Sequence, residues 1–169
     1  MTNWLDSAGI KTERLHLREF TEQDLPALER TWLDPRIRQY LGGPIDAQTL
    51  EVRRADPAGR GMFVVALADD NTVAGFCYLG RHHTGNIELS YDFLPEHWGH
   101  GYAYEACGPV LDWGFANVPD TERIIAVTQE VNTRSRRLLD KLGMTEVDQF
   151  IEYGEPQVMY EVHKGQRKP

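Results

Sequence analysis

The chain has few of the features that mark secreted or membrane-bound proteins. It has only two cysteines, Cys77 and Cys107, which are too few for a disulfide framework and are typical of a reducing compartment. No apolar run approaches the roughly 20 residues that a membrane-spanning helix requires. The first residues lack the basic and apolar segments of a secretory signal. We therefore expect a cytoplasmic protein with no membrane partner.

Basic residues are also scarce. The 169 residues include 18 Lys and Arg against 26 Asp and Glu, which leaves a formal net charge of −8. Nucleic-acid binding depends on basic side chains that neutralise phosphates, so we expect no nucleic-acid partner. The acidic balance fits cationic and neutral substrates alike. The length corresponds to one domain that is large enough to bury a core.

The spacing of apolar residues predicts one mixed α/β domain. Alternating or short apolar runs predict strands near 15–19, 62–67, 73–79, 87–93, 124–127, 151–153 and 158–162. Helical spacing predicts helices near 21–32, 47–55, 101–117 and 133–142. Pro109 lies inside the third helix, and we expect it to bend that helix or to end its first part. We predict that residues 1–11 form a lead-in, 12–163 the domain and 164–169 a flexible tail.

Two glycines, Gly99 and Gly101, lie where a predicted strand turns into the longest predicted helix. The first N–H groups of a helix have no partners within it, and the helix dipole adds partial positive charge there. Glycines allow a phosphate to come close to these groups. The arrangement therefore predicts an anion site, although a plain glycine turn has the same local sequence.

Two common phosphate-binding motifs do not fit this junction. A P-loop requires Gly-Lys followed by Ser or Thr, and the chain contains no such sequence. A dinucleotide-binding Rossmann domain requires a third glycine, but Tyr104 stands at that position. The strand and helix also lie in mid-chain, behind a half that is predicted to be antiparallel. Both alternatives are therefore weak.

The sequence Trp-Gly-His-Gly-Tyr-Ala at residues 98–103 resembles the pyrophosphate loop of the GNAT superfamily of acyl-CoA-dependent N-acyltransferases. Only the first position departs from the family pattern. Tryptophan at this position, Trp98, makes the loop similar to that of the branch of ribosomal-protein N-terminal acetyltransferases. Residues 132–144 resemble the family's Asn-x-x-Ser…Leu…Lys-x-Gly-Phe motif, and residues 12–18 resemble the first strand of the same branch. The resemblance covers about residues 12–162.

The resemblance implies a fold, a co-substrate and a binding site. The fold is an α/β (α+β) domain with a mixed, mostly antiparallel sheet of about seven strands flanked by helices. The co-substrate is acetyl-CoA, no metal is required, and we expect a monomer or a homodimer. By resemblance, backbone groups of Phe93 and Leu94 pair with the pantetheine arm, and residues 99–104 bind the pyrophosphate. The residues expected to bind the co-substrate are Phe93, Leu94, Trp98, Gly99, His100, Gly101, Tyr102, Ala103, Tyr104, Asn132 and Ser135.

Three glutamate and serine side chains are candidates for the chemistry of acetyl transfer. The attacking amine must lose a proton, and the resemblance assigns this to Glu88, about ten residues before the loop, directly or through water. Glu152 is the runner-up base, because some members of the branch place the base in the penultimate strand. Ser135 is expected to donate a hydrogen bond to the sulfur of coenzyme A. The alternative for Glu88 is a solvent-facing carboxylate, and the alternative for Ser135 is a plain first-turn serine.

Other residues carry weaker signals. Arg134, Arg136 and Arg137 form a basic group that is either a solvated helix face or a contact for the 3′-phosphate of coenzyme A. Trp32, Tyr40 and Trp98 either line the acceptor pocket or belong to the core. His97 and His100 lack the partners of a metal site. Cys107 lies on the apolar stripe of its helix and is expected to pack in the core.

The sequence therefore predicts an N-acetyltransferase that moves an acetyl group from acetyl-CoA to a primary amine by direct attack in a ternary complex. The acceptor is either a protein N-terminus or a small-molecule amine, and no motif selects between them. The alternative function is a non-catalytic acyl-CoA-binding sensor or partner protein.

Overall fold

The computed structural model describes residues 9–59 and 61–167, which form eight strands and four α-helices. Residues 1–8 of the predicted lead-in and residues 168–169 of the predicted tail lie outside the described residues. The strands are β1 Ile10–Lys11, β2 Leu15–Arg18, β3 Met62–Leu67, β4 Val73–Arg81, β5 Ile87–Phe93, β6 Arg123–Gln129, β7 Thr145–Glu152 and β8 Glu155–His163. The helices are α1 Leu25–Leu33, α2 Ala47–Ala55, α3 Tyr102–Asn117 and α4 Thr133–Lys141.

The strands form one mixed sheet in the order β1-β2-β3-β4-β5-β6-β8-β7. Strands β5 and β6 are parallel, whereas the pairs on either side, such as β2 with β3 and β6 with β8, are antiparallel. The predicted fold class is thus confirmed, with eight strands in place of about seven. The additional strand, β1, falls within the predicted lead-in. It has only two residues and therefore no alternation that a sequence could show.

The described chain divides into two compact units. The first unit contains the residues up to Tyr78 together with Tyr91–Ala106, and the second contains Leu79–Ser90 and the residues from Cys107 onward. Strands β4 and β5 and helix α3 each contribute residues to both units. None of the helices among the described residues is long and apolar enough to cross a membrane.

The core of the first unit forms where α1 packs on the neighbouring strands. Leu28 and Trp32, four residues apart, lie on the same face of α1 and are buried. Alternate residues of β3 point to one face of the sheet and complete this cluster. Its buried members are Leu28, Trp32, Met62, Val64 and Phe76.

The second unit is built around β6. Ile124, Ile125 and Ala126 are consecutive and buried, as predicted for a strand that is covered on both faces. Gly114 of α3 packs so closely on this strand that an added Cβ would lie 2.9 Å from the Ile124 side chain. Helix α4 ends before Gly143, whose positive φ of 81° is the usual left-handed ending of a helix.

Helix α3 continues to Asn117, as predicted, and of the two alternatives for Pro109 the structure excludes an end of the helix at this residue. A proline removes one hydrogen bond from the helix, and the buried neighbours Cys107 and Val110 provide packing that offsets this cost. The strand predicted at 151–153 requires correction, since it begins at Thr145. The sequence does not reveal this start, because β7 is an edge strand whose residues are mostly exposed and do not alternate. The hairpin turn contains Tyr153 and Gly154, both with positive φ.

Gly75 allows β4 and β5 to approach closely, and we predict that it tolerates no side chain. A Cβ at this position would lie 2.5 Å from the backbone oxygen of Asp92 and 2.8 Å from the ring of Phe93. We expect Gly75→Ala to lower the free energy of unfolding by about 1–3 kcal/mol, measured by urea denaturation. Gly80→Ala is the control on the same strand, since no atom lies within 4 Å of its added Cβ. Equal stability of the two variants would contradict the close approach.

Candidate active site

Strand β5 leads directly into the loop that carries most of the predicted co-substrate contacts. Ile87, Leu89 and Phe93 point to the buried side of β5, while Glu88 is half-buried on the other side. Both backbone groups of Leu94 are used within the first unit: its N–H donates to the Ala74 carbonyl at 2.9 Å, and its carbonyl accepts from the His97 N–H. The Leu94 carbonyl keeps a second lone pair, so its pairing with the pantetheine arm stays a prediction.

The predicted anion loop has a backbone conformation that favours glycine at two positions. Gly99 and Gly101 both have φ of 80°, in the left-handed region that side chains rarely adopt. The indole N–H of Trp98 donates to the Phe93 carbonyl at 2.7 Å and ties the loop to the end of β5. Helix α3 begins at Tyr102, so the loop meets the first-turn N–H groups of the longest helix. The two left-handed glycines therefore lie next to the first turn of α3, and binding of an anion there stays a prediction.

Arg14 and Glu105 hold the loop against the start of the sheet, and sequence reasoning assigned neither of them a role. The Arg14 Nε donates to Glu105 Oε2 at 2.7 Å, and its Nη1 donates to the His100 carbonyl at 3.0 Å. The Arg14 guanidinium also lies 4.8 Å from the centre of the Tyr102 ring. Thr12 donates its hydroxyl hydrogen to Glu105 Oε1 at 2.6 Å. Arg14 lies within the family-like segment 12–18 and Glu105 shortly after the family-like segment 98–103, and only this position could have indicated that they have a role.

The carboxylate of Glu105 is stabilised in its charged form. Burial alone would raise its pKa, but the hydrogen bonds from Thr12 and Arg14 outweigh burial and lower the pKa below its ordinary value. The loop therefore keeps a guanidinium next to the helix N-terminus, with its charge balanced by a carboxylate of the first turn.

The two candidate bases, Glu88 and Glu152, both belong to the second unit. Burial raises the pKa of Glu88, and the negative charge of Glu152 raises it further. The side chain of His83 and the N–H of Val127 lower the pKa of Glu88 but do not cancel the rise. A carboxylate with a raised pKa is better matched to accepting a proton near neutral pH.

Asn132 and Ser135 meet at the start of α4. The side-chain oxygen of Asn132 accepts a hydrogen bond from the Ser135 N–H at 3.2 Å, which makes Asn132 the N-cap of the helix. The Ser135 side chain is half-buried. The cap fixes the backbone of the first turn and with it the position of the serine.

The weaker sequence signals have mixed outcomes. Arg136 is engaged within its own unit, since its Nη2 lies 2.9 Å from Glu146 Oε2 and its Nε donates to the Tyr160 hydroxyl. Cys107 is fully buried, as predicted for core packing. Trp32 belongs to the core cluster of the first unit with 7% of its surface exposed. The His100 ring stacks on Tyr102, with 5.4 Å between the ring centres.

We predict that Glu105→Gln destabilises the protein by about 1–2 kcal/mol at pH 7, because charge-assisted hydrogen bonds are lost. A carboxylate whose folded pKa is lowered stabilises the protein above its unfolded pKa, and this contribution disappears as the pH falls through the folded pKa. The difference between wild type and variant, measured by urea denaturation, should therefore be constant above about pH 5 and shrink below it. Glu51→Gln, at an exposed ion pair with Arg54, is the control and should show no such difference.

The chain matches the family profile described as an acetyltransferase (GNAT) domain over residues 14–145. YnaD, an uncharacterised N-acetyltransferase of Bacillus subtilis (strain 168), is 31% identical over 144 residues, which cover 80% of this chain and 81% of YnaD. A GNAT-family acetyltransferase from Bacillus anthracis is 28% identical, with a TM-score of 0.80 over 91% of this chain and 97% of that one.

Two further solved structures share the fold at 18% identity. One is a spermidine N-acetyltransferase from Vibrio cholerae in complex with CoA and spermine, with a TM-score of 0.76 over 92% of this chain and 98% of that one. The other is a ribosomal-protein-S5-alanine acetyltransferase from Vibrio fischeri, with a TM-score of 0.69 over 95% and 98%. The latter is an enzyme of the predicted branch, and the predicted family is confirmed. The chain belongs to the GNAT family of acetyltransferases.

Proposed function

We propose that this protein transfers an acetyl group from acetyl-CoA to a primary amine by direct attack in a ternary complex. The observation that carries the proposal is the loop with left-handed Gly99 and Gly101 at the start of α3. The Vibrio cholerae enzyme with the same fold was solved with CoA, which supports acetyl-CoA as the donor.

The pyrophosphate of the co-substrate would lie at the N-terminus of α3. First-turn N–H groups and the helix dipole favour an anion there, and the absence of side chains at Gly99 and Gly101 allows a close approach. Arg14, fixed by Glu105, adds a full positive charge beside the same loop. In this proposal the binding groups are mostly backbone, so they are already in place before the ligand arrives.

Proton removal from the acceptor is the step that requires a base. An α-amine with a pKa of about 8 is roughly one-tenth neutral at pH 7, whereas a lysine amine near 10.4 is less than about 0.1% neutral. Deprotonation thus costs about 1.4 kcal/mol for the first and over 4 kcal/mol for the second. Glu88, with its raised pKa, would accept this proton directly or through a water molecule. A carboxylate base can therefore remove the proton from an α-amine more readily than from the more basic amine of a lysine.

The leaving sulfur is the second point at which the protein acts. The amine nitrogen forms a bond to the thioester carbon, the C–S bond then breaks, and coenzyme A leaves as a thiolate that takes up a proton. Ser135 would donate a hydrogen bond to the sulfur as negative charge develops. A serine hydroxyl is too weak an acid to protonate the thiolate by itself, so the proton must be relayed.

The first test of this proposal is thiol release from acetyl-CoA in the presence of peptide N-termini, polyamines, aminoglycosides and amino acids. Acetylation of at least one of these amines, confirmed by mass spectrometry of the product, is the expected result. Tight binding of acetyl-CoA without turnover of any acceptor would contradict catalysis and favour the sensor function.

We predict that Glu88→Gln lowers kcat by about 100-fold or more, because the general base is lost. In the wild type, kcat/KM should rise with pH as Glu88 loses its proton, with an inflection above the ordinary glutamate pKa of about 4.5. Glu152→Gln removes a neighbouring negative charge, so it should move this inflection to lower pH and keep activity at neutral pH. If Glu152→Gln abolished activity and Glu88→Gln did not, Glu152 would be the base.

We also predict that Ser135→Ala lowers kcat about tenfold with little change in the KM for acetyl-CoA, since one hydrogen bond of about 1.4 kcal/mol is lost mainly as the sulfur leaves. Thr133→Ala, at an exposed position two residues earlier, serves as the matched control. Steady-state kinetics with a saturating acceptor makes the comparison. Unchanged kcat in Ser135→Ala would exclude the serine from the reaction.

A further inference from the structure

The Arg14 side chain contacts residues 98–103, the glycine loop, at three consecutive positions. Its Nη1 donates to the His100 carbonyl at 3.0 Å. Its Nη2 would lie 3.6 Å from a Cβ added to Gly101, and its guanidinium carbon lies 4.8 Å from the centre of the Tyr102 ring. All of these residues belong to the first unit. The glycine loop is therefore braced by a residue that lies 86 positions before His100 in the chain.

Glu105 fixes the guanidinium of Arg14 from the first turn of α3. Its Oε2 accepts from the Arg14 Nε at 2.7 Å and lies 2.7 Å from the Nη2, and its Oε1 accepts from the Arg14 backbone N–H at 2.8 Å. Thr12 donates a further hydrogen bond to the same Oε1 at 2.6 Å. Turning the guanidinium away from the loop would break its contacts with the carboxylate, so these charge-assisted bonds favour one orientation of Arg14.

The hydrogen bond to the His100 carbonyl determines where the next backbone N–H points. A peptide unit is planar and trans, so its C=O and its N–H point in opposite directions. The His100 carbonyl points to Arg14, and the Gly101 N–H of the same peptide unit therefore points away from Arg14. The Gly101 carbonyl accepts from the Glu105 N–H at 3.1 Å, which likewise directs the Tyr102 N–H out of the start of the helix. Two consecutive N–H groups thus point away from the contacts that hold the loop.

The glycine loop has much conformational freedom to lose. Gly99 and Gly101 have no side chains, and a glycine loses more backbone freedom on ordering than any other residue. A ligand that had to order the loop itself would bind more weakly by the free energy of that ordering. The contacts of Arg14 provide this order within the protein.

We propose that Arg14 is a positioning residue for the co-substrate, which holds the glycine loop so that the Gly101 N–H meets the pyrophosphate, and that Glu105 keeps Arg14 in place. The inference rests on the proposed function, in which this loop binds the pyrophosphate. Arg14 then acts through the geometry of the loop in addition to its charge. A guanidinium is a planar fork that binds the Glu105 carboxylate and the His100 carbonyl at once, whereas the ammonium of a lysine is a point charge.

The test measures the Kd of coenzyme A by calorimetric titration without any acceptor. Arg14→Lys keeps the positive charge but not the fork, and Arg14→Met keeps neither. We expect both variants to bind coenzyme A about tenfold more weakly or worse, because a charge-assisted hydrogen bond that orders the loop is lost. Wild-type affinity in Arg14→Lys would overturn the inference because charge alone would suffice, and wild-type affinity in Arg14→Met would leave Arg14 without a role.

Arg54→Met is the matched control. Arg54 has 41% of its side chain exposed against 46% for Arg14, and it also binds carboxylates in the first unit, those of Glu29 and Glu51. Neither of these partners belongs to the glycine loop, so this variant should keep the wild-type Kd. Thermal unfolding reports the stability of each variant separately. An equal rise of the Kd in Arg54→Met would mean that affinity follows general stability, and the inference would be wrong.

A double variant tests whether Glu105 acts through Arg14. Glu105→Gln alone should weaken the binding of coenzyme A, because the hold on the guanidinium is weaker. Arg14→Met combined with Glu105→Gln should bind coenzyme A as weakly as Arg14→Met alone, since both changes remove the same contact. Losses that multiply in the double variant would mean that Glu105 acts independently, and its assignment would be wrong.

Turnover separates a positioning role from a merely structural one. With an amine that the enzyme acetylates, Arg14→Lys should raise the KM for acetyl-CoA and leave kcat unchanged, as expected when binding is lost equally in ground state and transition state. A loss of kcat with an unchanged KM would indicate fewer folded molecules and would contradict the inference.

Binding without an acceptor also distinguishes failure of this inference from failure of the proposed function. If the Arg14 variants bind coenzyme A more weakly than wild type and no amine is ever acetylated, the inference stands and the proposed function is wrong. If amines are acetylated while both Arg14 variants keep the wild-type Kd, the inference is wrong and the proposed function stands.

Discussion

The close approach of β4 and β5 at Gly75 is the constraint on which the first unit depends. The backbone oxygen of Asp92 and the ring of Phe93 occupy the space that any side chain at position 75 would need. The Leu94 N–H then bonds to the Ala74 carbonyl, and this ends β5 next to β4. The end of β5 is where the loop to α3 begins, so the position of the candidate anion site follows from a contact between two backbones.

The carboxylates of this protein show that the local environment shifts the pKa of the same chemical group in opposite directions. Glu105 receives hydrogen bonds from Thr12 and Arg14, which lower its pKa, so it serves as a permanent anion that holds the loop. Burial raises the pKa of Glu88 and of Asp92 because few donors offset the loss of water around them. A raised pKa is useful in a base, because such a carboxylate accepts a proton more readily near neutral pH.

Much of the fold could be predicted because its signals are local. The bounds of α2 at Ala47–Ala55 and of β3 at Met62–Leu67 follow from apolar spacing and from the residues that flank them. Glycine adopts the left-handed conformation found at Gly99 and Gly101 more readily than other residues, and asparagine is a common N-cap, as at Asn132. Strand β7 could not be predicted in the same way, since an edge strand with mostly exposed residues owes its conformation to its pairing with β8.

The sequence by itself determined the family, the glycine loop and the candidate bases, because each depends on residue types at short spacing along the chain. It did not reveal the role of Arg14 or of Glu105, which are separated by 91 positions and meet only in the folded protein. Nor did it indicate that Thr12 and Arg14 would together lower the pKa of the Glu105 carboxylate. Contacts between distant segments leave no periodic pattern in a single chain, so only the tertiary structure decided which charges meet.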